Sequence, residues 1–449
     1  MAYRELYAMR FLSRKHLWAL LFLLIALGTA GSQTGSGGSP GNSTVLDPIR
    51  GTNGTPSLPA PSRSYFLGGL HLSTGAENNP SLLSAYSSQV SSVTNLVGEF
   101  SLRRLWRHFA TSIDYTGGDT LYRNYGGVAF NNQQFQGMSA DEVIRWTTGQ
   151  LSIKDSFSYT GSREFGSFSP GGIGNPTNTG SEFFGATLFA PSFAGNVTVA
   201  KVTQALTRRS SVKFSAGYSF TDYLSNSEGL FNSRQASSQA GYSYQISRKN
   251  IIGVQYGYRD FQFVPAVQSV VTNSAQFVFE RHFSDHVDLV LGGGPERIVT
   301  IGTSTKSQIN ATVQASLGYR RRKSHLDISY NRMVTSGSGV YAGGISDIAM
   351  VSFDRRVSRY WDATVSGSYD KASGLGVSSF GIQLPESRYW LAGMTVHRRL
   401  GRSLSAFASY QFNYDTFLSC SGLHSCGPAV NRNIMLVGFD WSIHPVHLD

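Results

Sequence analysis

The chain has 449 residues with a formal net charge of +11, and charged residues make up only 14% of it. That fraction is well below the about 25% of an ordinary globular protein, and a mean hydropathy of −0.16 argues against a bundle of apolar membrane helices. The positive charge alone would suit a nucleic-acid partner, but a secretory N-terminus and a concentration of basic residues in short turns argue against one.

The N-terminus has the layout of a secretory signal peptide. Within residues 1–30, four basic residues precede the apolar run 17–27, and three small residues ending at Ala30 offer a cleavage site. The run is too short for a membrane-spanning helix, and no other stretch approaches the about 20 apolar residues that such a helix needs. Residues 31–62 are rich in Gly, Ser, Pro, Thr and Asn, which predicts a disordered leader without room for a plug or passenger domain.

From Ser64 onward, apolar and polar residues alternate in one long segment after another. This period of two is typical of a strand that has one apolar and one polar face. Residues 211–221 are the clearest case, because five apolar residues alternate there with six small or polar ones. We predict about eighteen strands, near 65–75, 90–102, 107–117, 131–146, 151–161, 195–206, 211–221, 232–246, 250–262, 268–282, 286–299, 307–319, 324–335, 345–357, 361–371, 387–400, 403–416 and 431–443.

Short and long connections alternate between these strands. The hairpin 307–335 turns within four basic residues, whereas the connection 163–194 is the longest in the chain. The strands are long enough for the about 9–11 residues that cross a bilayer when tilted, and an even strand number brings both chain ends to the side of the short turns. The pattern predicts an all-β protein, a transmembrane antiparallel up-and-down β-barrel over residues 63–449. A β-propeller would need four short strands per repeat of about 40 residues, where this chain has two long ones.

The last predicted strand ends with a glycine, two residues, an aromatic residue, one residue and a hydrophobic residue, at Gly438, Trp441 and Ile443. In this spacing it resembles the terminal assembly signal of bacterial outer-membrane β-barrels, although a short tail follows it here. Over about 65–445 the chain resembles porin-like members of that class. More weakly, residues 69–78 resemble the first strand of barrels associated with exopolysaccharide export. The resemblance implies an outer-membrane location, contact with outer-membrane lipid, and insertion by the barrel-assembly machinery.

The alternation also assigns each side chain to a face. Most Tyr and Trp residues fall on the apolar face, which is typical of the aromatic girdles of membrane barrels. Charged residues on the polar face would line a water-filled lumen, because eighteen strands enclose more space than side chains can fill. The alternative is that these charges pair across the wall and only fill the interior. The candidates are Lys154, Lys213, Arg259, Glu280, Asp288, Asp327, Asp362, His397, Arg399 and Asp440.

Two other features bear on passage through a lumen. Residues 163–194 hold six phenylalanines, and the sequence leaves open whether they fold into the mouth and narrow it or pack on the surface. About half of the basic residues outside the signal peptide lie in short turns, where we expect contact with lipid phosphates; the alternative is a periplasmic vestibule that attracts anions. This basic rim includes Arg208, Arg209, Arg248, Lys249, Arg320, Arg321, Arg322 and Lys323.

The chemistry-bearing motifs are few. Cys420 and Cys426 are predicted to form a disulfide in the last long loop, since five residues separate them and secretion would expose them to an oxidising compartment. We recognise no HExxH, P-loop or clustered metal ligands, so we expect neither an enzyme nor a cofactor or metal. The predicted function is passive diffusion of small hydrophilic solutes. A barrel dedicated to polysaccharide export and a non-conducting structural or adhesive barrel remain as alternatives.

Overall fold

The computed structural model describes residues 64–78, 90–124, 130–160, 193–224, 231–264, 268–302, 305–336, 342–375, 386–418, 430–444 and 446–448. Every predicted strand is present, most with ends within three residues of the prediction. The strands are β1 Tyr65–Asn78, β2 Val90–Leu105, β3 Phe109–Asn124, β4 Phe130–Trp146, β5 Gly149–Thr160, β6 Phe193–Ala205, β7 Ser210–Tyr223, β8 Asn232–Gln245, β9 Asn250–Val264, β10 Gln268–Ser284, β11 Val287–Ile301, β12 Lys306–Arg321, β13 Ser324–Thr335, β14 Gly344–Arg356, β15 Trp361–Gly374, β16 Glu386–Arg399, β17 Leu404–Leu418, β18 Val430–Ser442 and β19 Val446–His447.

Strand β3 differs most from its prediction, because it runs seven residues further, to Asn124. A Gly-Gly-Asp sequence beginning at Gly117 resembles a turn, yet the ladder with β2 passes straight through it, pairing Gly117 with Gly98 and Gly118 with Val97. Pairing on both sides of the strand therefore outweighs the local turn preference.

Each strand from β1 to β17 pairs antiparallel with the next one in the chain, and β1 pairs with both β2 and β18. The sheet is thus closed, and the predicted up-and-down barrel is confirmed. The closed barrel consists of β1–β18, and because this number of strands is even, β1 starts and β18 ends on the side of the short turns. There, β19 pairs with Tyr65 and Phe66 of β1, and the Leu448 amide donates a hydrogen bond to the Ser64 carbonyl over 3.1 Å. Within the described residues, no helix is long and apolar enough to cross a membrane.

The two faces of the wall have opposite chemistry. On β7, Phe214 is 52% exposed, whereas the adjacent Ser215 is only 3% exposed and Lys213 is buried as well. The same alternation recurs on the other strands, with large apolar side chains exposed on the outside and Ser, Thr, Gln and charged residues turned inward. A soluble barrel would reverse this order, since its interior would be apolar.

Several of the predicted features lie outside the described residues. These are the signal peptide 1–30, the leader 31–62, residues 163–192 of the longest loop, and both cysteines, all of which stay predictions. The last two residues of the predicted loop, Phe193 and Ala194, belong to β6.

The closing seam between β1 and β18 requires a glycine. Gly75 of β1 lies opposite Leu436 of β18, and a Cβ atom at Gly75 would overlap the carbonyl oxygen of the neighbouring Met435. Because that carbonyl is backbone, it cannot move aside without shifting the ladder. Gly401, in the turn before β17, offers the opposite case, since a Cβ there would meet nothing within 4 Å.

We therefore expect Gly75→Ala to destabilise the barrel by about 1–3 kcal/mol, the usual cost of overpacking, while Gly401→Ala leaves it unchanged. The measurement is the temperature at which the compact, unheated band on a detergent gel converts to the fully unfolded one. Equal conversion temperatures for the two variants would show that the seam tolerates a side chain at position 75.

Candidate functional site

All ten charged residues predicted to face the lumen lie in inward registers. Lys154 on β5, for example, is opposite Asp141 of β4, and Lys213 on β7 is opposite Thr203 of β6. Lys201 on β6 also faces inward, between Ser152 and Ser215, although its strand alternates too poorly for the sequence to assign it. The lumen wall therefore carries charges of both signs, and the neighbours of each charge decide what field a solute meets.

On the turn side of the lumen, two histidines each lie between two carboxylates. The Nδ1 atom of His71 is 2.7 Å from Asp440 and its Nε2 atom is 3.1 Å from Glu99. His282 repeats the arrangement, with Asp288 at 2.9 Å and Glu280 at 3.1 Å. In each ring the Nδ1 atom is in hydrogen-bond contact with the aspartate, and the glutamate lies within ion-pair distance of Nε2.

The remaining predicted lumen acids are paired too. Asp362 accepts from Arg399 over 2.9 Å and from Arg356 over 3.4 Å. His325 lies 2.8 Å from Asp327. Asp440, besides His71, lies 3.2 Å from His397. Paired charges act on a passing solute as short-range dipoles rather than as free charges.

On the loop side, the seam between β1 and β18 holds a buried ion pair that the sequence did not reveal. Arg432 donates to Glu77 over 2.6 Å and to the Tyr122 hydroxyl over 3.3 Å, and the Arg432 and Glu77 side chains are only 5% and 1% exposed. The partners are 355 residues apart in the chain. Only the closure of the barrel brings them together, so no local pattern could have indicated the pair.

Within the described residues, the ladder between β12 and β13 is much shorter than β12 itself. Strand β12 pairs with β11 from Lys306 to Tyr319, but with β13 only from Val313 to Arg321. Beyond Arg332, the end of β13 leaves β12 while it stays paired with β14. The loop-side end of the β13–β14 hairpin thus departs from the wall.

This end packs against the inner face of β9–β11. Val334 and Ala342 join the inward-facing Phe261, Val270 and Ile298 in a buried cluster, in which every member is at most 3% exposed. Across the lumen, the Arg259 guanidinium donates to the Val334 carbonyl over 2.9 Å, and the Gln268 amide donates to the Ala342 carbonyl over 3.3 Å. The hairpin end is held by apolar contact and by two hydrogen bonds.

Gly343 makes this close approach possible. Its φ of 79° lies in the left-handed region that favours glycine. A Cβ at this position would also lie 3.2 Å from Val270 and 3.5 Å from Phe263, tighter than side chains normally allow at the first contact. The described part of the hairpin therefore narrows the lumen on the loop side, a role for which the sequence offered only the loop 163–194.

One sequence signal could have indicated this constriction. Phe261 and Phe263 share their face of β9 with Gln255 and Arg259, so strict alternation places two large apolar side chains inside a polar lumen. Such residues need a covering partner, because they would otherwise face water. The identity of that partner could not follow from the pattern, since β9 and β13 are not neighbours in the wall.

Beside the constriction, the lumen wall is lined with amides and hydroxyls. Gln255 donates to Gln276, Gln276 donates to the Thr312 hydroxyl over 3.1 Å, and Thr312 donates to the Arg332 carbonyl over 3.1 Å. Gln255 and Thr312 are buried, so the row mainly satisfies its own polar groups, and Gln276 is its partly exposed member. Among the described residues, no group of three or more His, Cys, Asp and Glu side chains is arranged to hold a metal ion.

Comparison with known proteins finds similarity only at the level of solved structures. No family model and no curated protein matches the chain. OpdK of Pseudomonas aeruginosa, solved with vanillate, is 11% identical with a TM-score of 0.39 over 85% of this chain and 98% of that one. A BenF-like porin of Pseudomonas fluorescens is 10% identical, with a TM-score of 0.42 over 86% and 99%. BauA, the ferric preacinetobactin receptor of Acinetobacter baumannii, is 9% identical, with a TM-score of 0.39 over 85% and 82%. The likeness is too distant to carry a function from any of them to this chain.

The buried pair at the seam generates a stability prediction. Glu77→Gln should lower the free energy of unfolding by about 3–5 kcal/mol, because it leaves the Arg432 guanidinium buried without its counter-charge. Glu386→Gln is the matched control: Glu386 pairs with Lys371 and Arg388, which are both substantially exposed, and such a pair contributes less than about 1 kcal/mol. Denaturant unfolding in micelles, followed by tryptophan fluorescence, compares the two; similar midpoints would contradict a structural role for the buried pair.

Proposed function

We propose that the protein is a passive channel for small hydrophilic solutes in the outer membrane of a bacterium. The proposal is carried by one observation: the barrel is closed, its outer face is apolar and its inner face is polar. Such a wall satisfies its backbone groups within itself and presents hydrocarbon only to hydrocarbon. In this proposal the short turns face the periplasm and the long loops face outward, with lipid and the assembly machinery as partners.

Passage in this proposal is diffusion along the polar inner wall. A hydrated solute exchanges hydrogen bonds with water for hydrogen bonds with partly exposed amide groups of the inner wall, such as those of Gln276, Gln314 and Asn331. Among the described residues, the end of the β13–β14 hairpin forms the narrowest part of the lumen.

The inner wall favours this function over polymer export. Sugar polymers are usually guided by exposed aromatic rings that stack on them. Here, the inward-facing Phe261, Phe263 and Phe407 are at most 4% exposed, because neighbouring side chains or the hairpin cover them. Partly exposed inward rings of the described barrel, at Phe135, Phe193 and Tyr223, lie toward the loop-side strand ends, so the described rings form no continuous track for a polymer.

Reconstituted protein tests the function directly. In planar bilayers we expect discrete conductance steps, and in a liposome-swelling assay we expect entry of monosaccharides at a rate that falls with solute size. Folded barrels, identified by their heat-dependent gel mobility, that pass neither ions nor sugars would leave the structural barrel as the better account. Passage of long oligosaccharides at undiminished rates would instead favour polymer export.

The constriction yields a second measurement. Replacing Phe261 and Phe263 together with alanine removes the apolar seat of the hairpin end, so the single-channel conductance should rise. The matched control is Phe277→Ala with Phe279→Ala, which removes the same two rings from the outward face of β10. A conductance that stays at the level of the unmodified protein in the inward variant would show that the hairpin end does not limit passage.

Ion selectivity tests the basic rim. We expect a weak preference for anions at low salt, because the rim adds positive potential at the turn-side mouth while Asp288, Asp327, Asp362 and Asp440 are each paired with a basic side chain. Screening confines the effect to about 8–10 Å at physiological ionic strength, so the preference should fade as salt rises.

The measurement is the reversal potential across a salt gradient. Replacing Arg320, Arg321, Arg322 and Lys323 with Gln should lower the anion preference without altering folding. Arg281→Gln with Arg398→Gln is the control, since both side chains lie on the outside of the wall. Strong cation selectivity of the unmodified protein at low salt would mean that the acids of the lumen dominate in spite of their partners.

A further inference from the structure

The outward face of the wall carries a repeated pair near the short turns: an arginine whose guanidinium lies over an aromatic ring. Arg104 of β2 lies 5.3 Å from the ring centroid of Trp106, which follows the strand. On β10, Arg281 lies 4.9 Å from the ring centroid of Phe283. Arg398 of β16 lies 5.4 Å from the ring centroid of Trp361 on β15. Phe283 and Trp361 are about half exposed. The three pairs are spread around the barrel, and each lies within four residues of a turn-side strand end.

The register places these arginines on the lipid-facing side. Arg281 shares the parity of the exposed Phe277, and Arg398 shares that of the exposed Trp390 and Met394. On β2, Arg104 shares the parity of Leu96 and Phe100, which are also exposed. In the proposed orientation the guanidinium groups therefore lie at the border between the hydrocarbon and the periplasmic headgroups, where aromatic belts are usual.

None of these three arginines has an ion-pair partner among the described residues. Several other arginines of the described barrel find a carboxylate: Arg399 pairs with Asp362, Arg432 pairs with Glu77, and Arg332 pairs with Asp347. The loop side offers the sharpest comparison, since Arg234 lies 5.7 Å from the Phe220 ring and also binds Asp222 over 3.2 Å. The turn-side pairs repeat the stacking without the anion.

We propose that the missing anion is the phosphate of a phospholipid headgroup, and that the three pairs are binding sites for lipid on the turn-side leaflet. Stacking fixes the plane of the guanidinium, so that its N–H edge can donate to two phosphate oxygens while the ring holds the group at the interface. The acyl chains then lie along the exposed apolar side chains of the same strands. This inference rests on the proposed membrane orientation and adds the chemistry that the wall recognises.

The experiment uses the folded full chain in detergent micelles. Phosphatidylglycerol is added, and the temperature of unfolding is followed by heat-dependent gel mobility and tryptophan fluorescence. Diacylglycerol with the same acyl chains and inorganic phosphate are added in parallel. We expect phosphatidylglycerol to raise the unfolding temperature and the other two additives to leave it unchanged. An equal rise with diacylglycerol would mean that only apolar contact matters, and an equal rise with inorganic phosphate would mean a free-anion site; either result overturns the proposal.

Variants then locate the effect. Combining Arg104→Gln, Arg281→Gln and Arg398→Gln should abolish at least half of the rise with phosphatidylglycerol. The control combines Arg123→Gln, Arg234→Gln and Arg297→Gln, which removes the same charge from exposed positions near the loop-side strand ends, and it should retain the rise. Equal loss in both triple variants would show a general effect of positive charge and would overturn the sites.

A second readout covers the case in which the triple variant does not fold. Native mass spectrometry of the single variants should show one phosphatidylglycerol fewer per barrel than the unmodified protein, and an unchanged count would contradict the sites. Conductance of the same preparations separates this inference from the proposed function. If the unmodified protein conducts but retains no phosphatidylglycerol, only the lipid sites fail; if it retains phosphatidylglycerol but does not conduct, only the channel fails.

Discussion

The structure depends on one constraint: every backbone N–H and C=O in a wall that faces hydrocarbon must find its partner in the wall itself. An open sheet leaves two edges unsatisfied, and each unpaired group in an apolar medium costs several kcal/mol. The ladder between β1 and β18 removes both edges at once. Gly75 lets the two strands approach at that seam, and the buried Arg432–Glu77 pair joins them on the inner side. The ladder and this ion pair therefore bind the first strand of the barrel to the last one.

Closure also turns a one-dimensional pattern into two environments. Because successive side chains point to opposite faces, each strand contributes side chains alternately to the outer face and to the inner face of the wall. Many polar inner residues are close enough together to satisfy one another, and Asp440, Asp288 and Asp362 accordingly lie in pairs with His or Arg. The arginines on the outside have no such neighbours near the turns. In the proposed orientation the surrounding membrane would supply a partner for them, which links the inner ion pairs to the proposed lipid sites.

The strands could be predicted from the sequence because their pattern is local. Alternation at period two reports the face of each residue without reference to any other strand, and all eighteen strands follow from it. The predicted inward charges, Lys154 and Asp440 among them, follow for the same reason. The seam pair and the hairpin constriction could not be predicted, since Arg432 meets Glu77 across the closure and Val334 meets Phe261 across the lumen. Such contacts depend on which distant strands come together, and a single sequence does not encode that in any local pattern.

The position of the constriction follows from the same constraint as the closure. Where β13 leaves β12, residues 306–312 of β12 lose their ladder partners on that side, which would be costly within hydrocarbon. The ladder ends at the pair Val313 and Arg332, where the outward face is mixed: Arg332 binds Asp347 over 3.0 Å on the outside of the wall, whereas Ile309 of β12 is 80% exposed. The freed backbone groups of β12 need water as their partner, which requires the gap to lie at the border of the apolar belt or beyond it. The wall can therefore send a hairpin into its own lumen only at that border or beyond it, and the loop side is where the chain does so.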